Sequence, residues 1–160
     1  LDAALTAASW AREAAIPVVV DLDTRSGAVE RLLALADVVI VSQEFAAQLA
    51  GAADPETAIG RLAAATPAPL VAITLGAEGV IARAAAGTLR VPAYPVPCVD
   101  STGAGDVFHA GFIYGMLADW PLDRTLRFAN AAAALKCTQV GGRPGIPTVA
   151  TAEALAAGTE

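Results

Sequence analysis

Short apolar runs alternate with longer, partly polar segments along the first half of the chain. The apolar runs are rich in β-branched residues and predict buried parallel strands at 18–20, 38–41 and 70–74. The segments beside them predict helices over 2–15, 26–35, 43–50 and 55–65. Strands that alternate with helices imply an α/β fold with a mainly parallel sheet covered by helices.

Turn residues mark the ends of these elements. Ser42 and Asp54 are predicted N-caps, and Gly51 is a predicted helix stop. Residues 80–84 and 88–91 predict a hairpin that turns near a glycine. Three more helices are predicted in the second half, one ending near residue 117, one starting at 121 and one near 150–157.

Composition narrows the class of protein. The 160 residues are 56% apolar, yet no apolar run reaches the ~20 residues of a membrane span, and the first residues show no basic region followed by an apolar stretch. We therefore expect a soluble cytoplasmic protein without a membrane partner. The net charge of −6 argues against nucleic-acid binding, which needs clustered basic residues. Cys98 and Cys137 are predicted to be buried free thiols, and the single histidine, His109, a packed side chain.

The segment from Asp100 to Asp106, Asp-Ser-Thr-Gly-Ala-Gly-Asp, carries the clearest chemistry. It places small residues at the first turn of an apolar helix, where backbone N–H groups lack intrahelical partners and favour an anion. Gly103, Ala104 and Gly105 would let a phosphate approach those amides. Asp106 would lie beside the phosphate and could accept a proton from an attacking hydroxyl. The segment therefore predicts phosphoryl transfer.

With its flanking residues, this motif resembles the signature of the ribokinase-like (PfkB) carbohydrate kinases. Other segments match the C-terminal half of that family in the expected order, at 74–79, 128–132 and 141–147. The resemblance implies a three-layer ribokinase-like fold, of which residues 1–160 would form the nucleotide-binding and catalytic part. The N-terminal half of the family's fold, which supplies most sugar contacts and a lid, would be absent from these residues.

The resemblance also implies roles for individual residues. Asp106 matches the catalytic base, and the amides of Gly103, Ala104, Gly105 and Asp106 match the anion hole that holds the transferred phosphoryl group. Such a base normally accelerates the reaction by ~10²–10⁴-fold.

Further positions match the family's ATP site. These are Thr74, Gly76, Gly79, Asn130 and Gly142. Asn130 would either face the adenine or make a local hydrogen bond within its helix. Arg25 would either approach the phosphates or form a surface ion pair with Asp23.

Metal ions are implied at two places. Asp100 and Thr102 match positions that hold K⁺ near the anion hole in some relatives, or Asp100 only caps the turn. Family members usually place an Asn-x-x-Glu motif for Mg²⁺ after the second strand, but this chain has Ser42 and Phe45 at those two positions. Glu44 would then contribute only loosely to Mg²⁺ that is held by ATP and water. A similar departure from the motif occurs in ketohexokinase-like members, where Val-Ser starts the same segment.

These matches predict part of an ATP-dependent sugar kinase, which would need its other half for good catalysis because solvent competes with the sugar. Two alternatives stay open. One is a kinase of the same fold acting on a nucleoside or a pyridoxal-type alcohol. The other is a nucleotide-binding module without catalysis. The resemblance also allows a homodimer.

Overall fold

The computed structural model describes residues 2–22 and 29–158. The predicted sites at Asp23 and Arg25, and the start of the predicted helix over 26–35, lie outside the described residues. The chain divides into two compact units: one runs to Leu75 and includes Ile81–Leu89, and the other consists of Gly76–Val80 and the chain from Arg90 onward. No helix in the described ranges is long and apolar enough to cross a membrane.

The first unit is built on parallel strands, as predicted. It contains α1 (Asp2–Glu13), β1 (Val19–Leu22), α2 (Val29–Leu33), β2 (Val38–Ser42), α3 (Gln43–Ala50), α4 (Pro55–Ala64) and β3 (Leu70–Thr74). β1 pairs in parallel with β2, and β2 with β3, in the register Val19–Val38–Leu70. Val39, Ile40 and Val41 are fully buried. A strand covered on both faces is uniformly apolar, which explains the unbroken run in the sequence.

Capping confirms the predicted helix starts in this unit. The Ser42 hydroxyl accepts a hydrogen bond from the Phe45 amide at 3.1 Å, and Gly51 ends α3 in the left-handed conformation. The Asp54 carboxylate accepts one from the Thr57 amide at 2.8 Å. Ser42 and Asp54 therefore cap α3 and α4 as predicted.

The hairpin follows as β4 (Val80–Ala84) and β5 (Gly87–Val91), so that the sheet order is β1-β2-β3-β4-β5. A short 3₁₀ turn at Gly76–Glu78 precedes β4. Three helices of the second unit complete the chain: α5 (Ala104–Leu117), α6 (Leu122–Lys136) and α7 (Val149–Ala157). Strands and helices alternate through the first unit, which is the predicted α/β class.

Small residues let α5 and α6 approach each other closely. A Cβ atom at Gly111 would lie 3.0 Å from the Ala129 Cα, and one at Gly115 would lie 2.8 Å from the Thr125 side chain. This close approach holds α5, and with it the start of that helix, against α6.

Candidate active site

The turn before α5 leaves donors for an anion. Gly103 is the N-cap residue, with φ +78°, and no side chain caps the helix. The Gly105 and Asp106 amides have no hydrogen-bond partner within residues 2–22 and 29–158. The Ala104 amide, in contrast, donates to the Ser101 carbonyl at 3.0 Å, so that it closes the turn. The Gly103 amide also has no partner in these ranges, so three of the four predicted anion-hole amides are unpaired there and only the Ala104 amide is engaged.

Asp106 lies in the first turn of α5 and is exposed. Its carboxylate thus belongs to the same turn as the unpaired amides, which is the arrangement predicted for a base beside a phosphate. One turn later, the His109 Nδ1 lies 2.8 Å from the Gly105 carbonyl oxygen, and the ring meets Phe108 edge-on. His109 is half-buried, so the predicted packed histidine is only partly correct.

Asp100 ties this turn to the glycine-rich segment after α6. One carboxylate oxygen accepts a hydrogen bond from the Thr102 amide at 2.9 Å, and the other accepts one from the Gly141 amide at 2.7 Å. These backbone hydrogen bonds, the one from Gly141 first, lower the pKa of Asp100 from 3.8 to about 2. A Cβ atom at Gly103 would lie only 3.0 Å from the Gly142 carbonyl oxygen. The structure thus brings together four of the predicted site positions, Asp100, Thr102, Gly103 and Gly142.

The lowered pKa makes a testable prediction about acid stability. The folded-state pKa of about 2 lies below the ordinary 3.8, so the Asp100 carboxylate stabilises the fold above pH 3.8 and loses that effect as the pH falls towards 2. We expect Asp100→Ala to lower the melting temperature at neutral pH, and the difference from wild type to shrink between pH 3.8 and about 2. Thermal melts of both proteins across this range measure it. A melting-temperature difference between the two proteins that does not change with pH would show that the charge of the Asp100 carboxylate does not stabilise the fold.

A predicted K⁺ site does not fit the donors around Asp100. Both carboxylate oxygens accept backbone amides, and the Asp100 carbonyl oxygen accepts a hydrogen bond from the ammonium of Lys136 at 2.8 Å. A cation placed against the Asp100 carbonyl oxygen would be repelled by that ammonium, which already lies there. No group of three or more His, Cys, Asp or Glu side chains among the described residues could hold a metal ion.

Asn130 and Gly79 have structural roles in the second unit. The buried Asn130 amide donates to the carbonyl oxygens of Val91 and Pro92, both at 3.1 Å. A Cβ at Gly79, where φ is +95°, would lie 2.1 Å from the Val91 carbonyl oxygen. Both residues therefore fix the chain that leaves β5. The local hydrogen bond predicted as an alternative role for Asn130 is not the one observed, because its partners lie 38 and 39 residues away in sequence. The contact of Asn130 with adenine stays a prediction.

The other predicted nucleotide positions are divided between the units. In the first unit, Thr74 pairs with Ser42 in the register of β3 and β2, and its hydroxyl donates to the Val41 carbonyl at 3.4 Å. Glu44 is exposed in the first turn of α3, two residues after Ser42. Gly76, in the second unit, is exposed with φ +59° and open space around its Cβ position. The predicted contribution of Glu44 to Mg²⁺ binding stays a prediction.

Sequence reasoning missed Lys136 and misjudged the cysteines. Lys136 is fully buried. The available signal for its burial was its spacing: Lys136 lies four residues after Ala132, and residues at that spacing share a helix face. Cys98 is exposed and Cys137 is half-buried, so the predicted burial of Cys98 is wrong, while both thiols are free as predicted. Partial burial raises the pKa of Cys137.

Known proteins match most of the chain. The model of the pfkB family of carbohydrate kinases matches residues 1–149. The ribokinase of Bacillus subtilis is 40% identical over 94 residues, 59% of this chain and 32% of that protein.

Solved structures share the fold. Aminoimidazole riboside kinase from Salmonella enterica, complexed with aminoimidazole riboside and an ATP analogue, is 28% identical with a TM-score of 0.85, over 96% of this chain and 56% of that one. An E. coli chain called ribokinase II, in complex with ATP and Mg²⁺, is 26% identical with a TM-score of 0.84, over 93% of this chain and 51% of that one. This chain therefore spans about half the length of the solved relatives.

Proposed function

Because the chain belongs to the pfkB family of carbohydrate kinases, we propose that it supplies the catalytic part of an enzyme that transfers the γ-phosphate of ATP to a sugar hydroxyl. The observation that carries the proposal is the start of α5, where the unpaired amides of Gly103, Gly105 and Asp106 and the Asp106 carboxylate lie together. Phosphoryl transfer depends mainly on positioning and on stabilising charge, and this turn offers both.

The Asp106 carboxylate would accept the proton of the acceptor hydroxyl as its oxygen attacks the γ-phosphorus. The Gly105 and Asp106 amides would donate to the oxygens of the transferred phosphoryl group, whose negative charge also suits the positive end of the α5 dipole. Gly103 leaves room for the phosphate because it has no side chain.

ATP and Mg²⁺ as ligands are supported by the complexes of the solved relatives. The resemblance to the family's motifs supports Thr74, Gly76, Gly79 and Gly142 as nucleotide-binding positions and Glu44 as a loose contributor to Mg²⁺ binding. Bound Mg²⁺ would neutralise phosphate charge. K⁺ is left out of the proposal, because the Lys136 ammonium lies 2.8 Å from the Asp100 carbonyl oxygen and would repel a second cation there.

A nucleoside is the second candidate acceptor, since a relative with a TM-score of 0.85 is an aminoimidazole riboside kinase. The residues that select the acceptor would lie largely outside this chain. The pyridoxal-type acceptor therefore stays a prediction. The homodimer stays one as well.

A panel of acceptors tests the proposal with the full-length protein. ADP release would be measured with ribose, fructose, aminoimidazole riboside and pyridoxal, and with no acceptor. We expect at least one sugar or nucleoside to raise ADP release ~100-fold or more above the rate with water alone, because positioning of the acceptor dominates this reaction. ATP binding without ADP release on any acceptor would instead identify a nucleotide-binding module without catalysis.

A further inference from the structure

Lys136, the last residue of α6, is a buried charge that the proposed mechanism does not use. It is the only lysine in the chain, and its exposed fraction is 0%. Lysine is almost never fully buried unless a partner compensates its charge, since an unpaired ammonium in the interior is very unfavourable. Something at this position must therefore hold the ammonium.

The partner is the turn that precedes α5. The Lys136 Nζ donates to the Asp100 carbonyl oxygen at 2.8 Å, and the Asp100 carboxylate belongs to the same residue. The carbonyl end of α6 is nearby as well, because Lys136 lies in its last turn, where a helix dipole favours positive charge.

The surrounding backbone fixes this arrangement. The Val99 and Asp100 amides both donate to the Cys137 carbonyl, at 2.8 and 3.2 Å. On the other side, a Cβ atom at Gly145 would lie 2.7 Å from the Lys136 carbonyl oxygen. The end of α6, the turn at 100–103 and the glycine-rich segment at 141–145 are therefore joined through two residues, Lys136 and Asp100.

We infer that Lys136 is a positioning residue whose ammonium acts as the fixed cation beneath the turn before α5, and that the enzyme consequently needs no monovalent metal ion. The inference rests on the proposed phosphoryl transfer. The ammonium orients the Asp100 carbonyl, and Asp100 in turn holds the Thr102 and Gly141 amides. A positive charge excluded from water is weakly screened, so it also favours the negative charge that gathers at the start of α5.

The wild-type protein gives the first test. Full-length protein would be compared in KCl, NaCl and tetramethylammonium chloride at one ionic strength, by its melting temperature and by kcat on the best acceptor. An ion that binds the native state raises the melting temperature, so we expect the three melting temperatures to agree and the three kcat values to agree within about twofold. A higher melting temperature together with a several-fold higher kcat in KCl alone would overturn the inference.

Truncation gives the second test. Lys136→Ala removes the ammonium and leaves a polar space beside the Asp100 carbonyl. We expect kcat to fall ~10-fold or more, with a smaller change in KM, because a misplaced turn affects the transition state more than the bound substrate. K⁺ or methylammonium should restore part of the kcat and raise the melting temperature of this variant alone.

Two further variants separate charge from shape. Lys136→Arg should keep more activity than Lys136→Met, which fills the space without a charge and should not respond to cations. Arg127→Ala is the matched control, since it removes a positive charge from a partly exposed position on the same helix. It should keep the wild-type kcat and show no cation response.

The outcomes distinguish the inference from the proposed function. A Lys136→Ala protein that folds, retains kcat within about twofold and ignores cations would show a purely structural lysine. If it does not fold, the wild-type cation series and the Arg and Met variants decide. If wild type phosphorylates no acceptor, the proposed function fails, whereas the melting temperatures in the three salts still test whether a monovalent cation binds.

Discussion

Asp106→Asn should lower kcat by ~10²–10⁴-fold, the range that a general base contributes. Asparagine has almost the same shape as aspartate, but its amide cannot accept the proton of the acceptor hydroxyl. Because Asp106 is exposed in the first turn of α5, the substitution removes little packing. ATP affinity and the melting temperature should therefore stay close to those of wild type.

Asp123→Asn is the matched control for this prediction. Asp123 is also an acidic residue in the first turn of a helix, α6, where it accepts a hydrogen bond from Arg127 at 2.8 Å. Each substitution removes a favourable interaction with a helix dipole of about 0.3–1 kcal/mol, and Asp123→Asn also weakens an exposed i,i+4 ion pair of about 0.3–0.5 kcal/mol, so both stability effects should be small. Only Asp106→Asn should lose turnover, measured as ADP release with the best acceptor. An Asp106→Asn enzyme within a few-fold of wild type would contradict its assignment as the base.

Local patterns predicted the fold well where local physics determines the structure. The apolar run at 38–41 is typical of a strand buried on both faces of a covered parallel sheet, and the structure places it in β2, between β1 and β3. Ser42 and Asp54 cap the predicted helices because a short polar side chain can reach the first amides of the helix that follows it. Such features depend on residues within one turn of each other.

The position of the candidate site was predictable from the sequence, but the hydrogen bonds around it were not. The motif at 100–106 indicated an anion at the start of α5, yet only the folded chain shows that the Ala104 amide is already engaged with Ser101. The bonds from Asn130 to Val91 and from Lys136 to Asp100 join residues 39 and 36 positions apart. No periodicity in a single sequence encodes such pairings, because they arise when distant segments pack together.

Gly103→Val should be the most damaging substitution in the turn before α5. Gly103 has φ +78°, a conformation that is strained for side chains branched at Cβ. A Cβ atom there would also lie 3.0 Å from the Gly142 carbonyl oxygen, so that valine must push the 141–142 segment away from the turn. The Gly105 and Asp106 amides would move with the turn. We expect turnover to fall ~100-fold or more, since a displacement of about 1 Å at a reacting centre has that effect.

Gly87→Val separates backbone strain from the contact with Gly142. Gly87 also has positive φ, +120°, but nothing lies within 4 Å of its Cβ position, and it is at the start of β5 rather than beside α5. Both variants should melt at a lower temperature than wild type, because both force a branched residue into a left-handed conformation. Only Gly103→Val should lose turnover per folded molecule, measured as ADP release at saturating ATP. Equal turnover in the two variants would mean that the close approach of Gly103 to Gly142 is not what shapes the phosphate site.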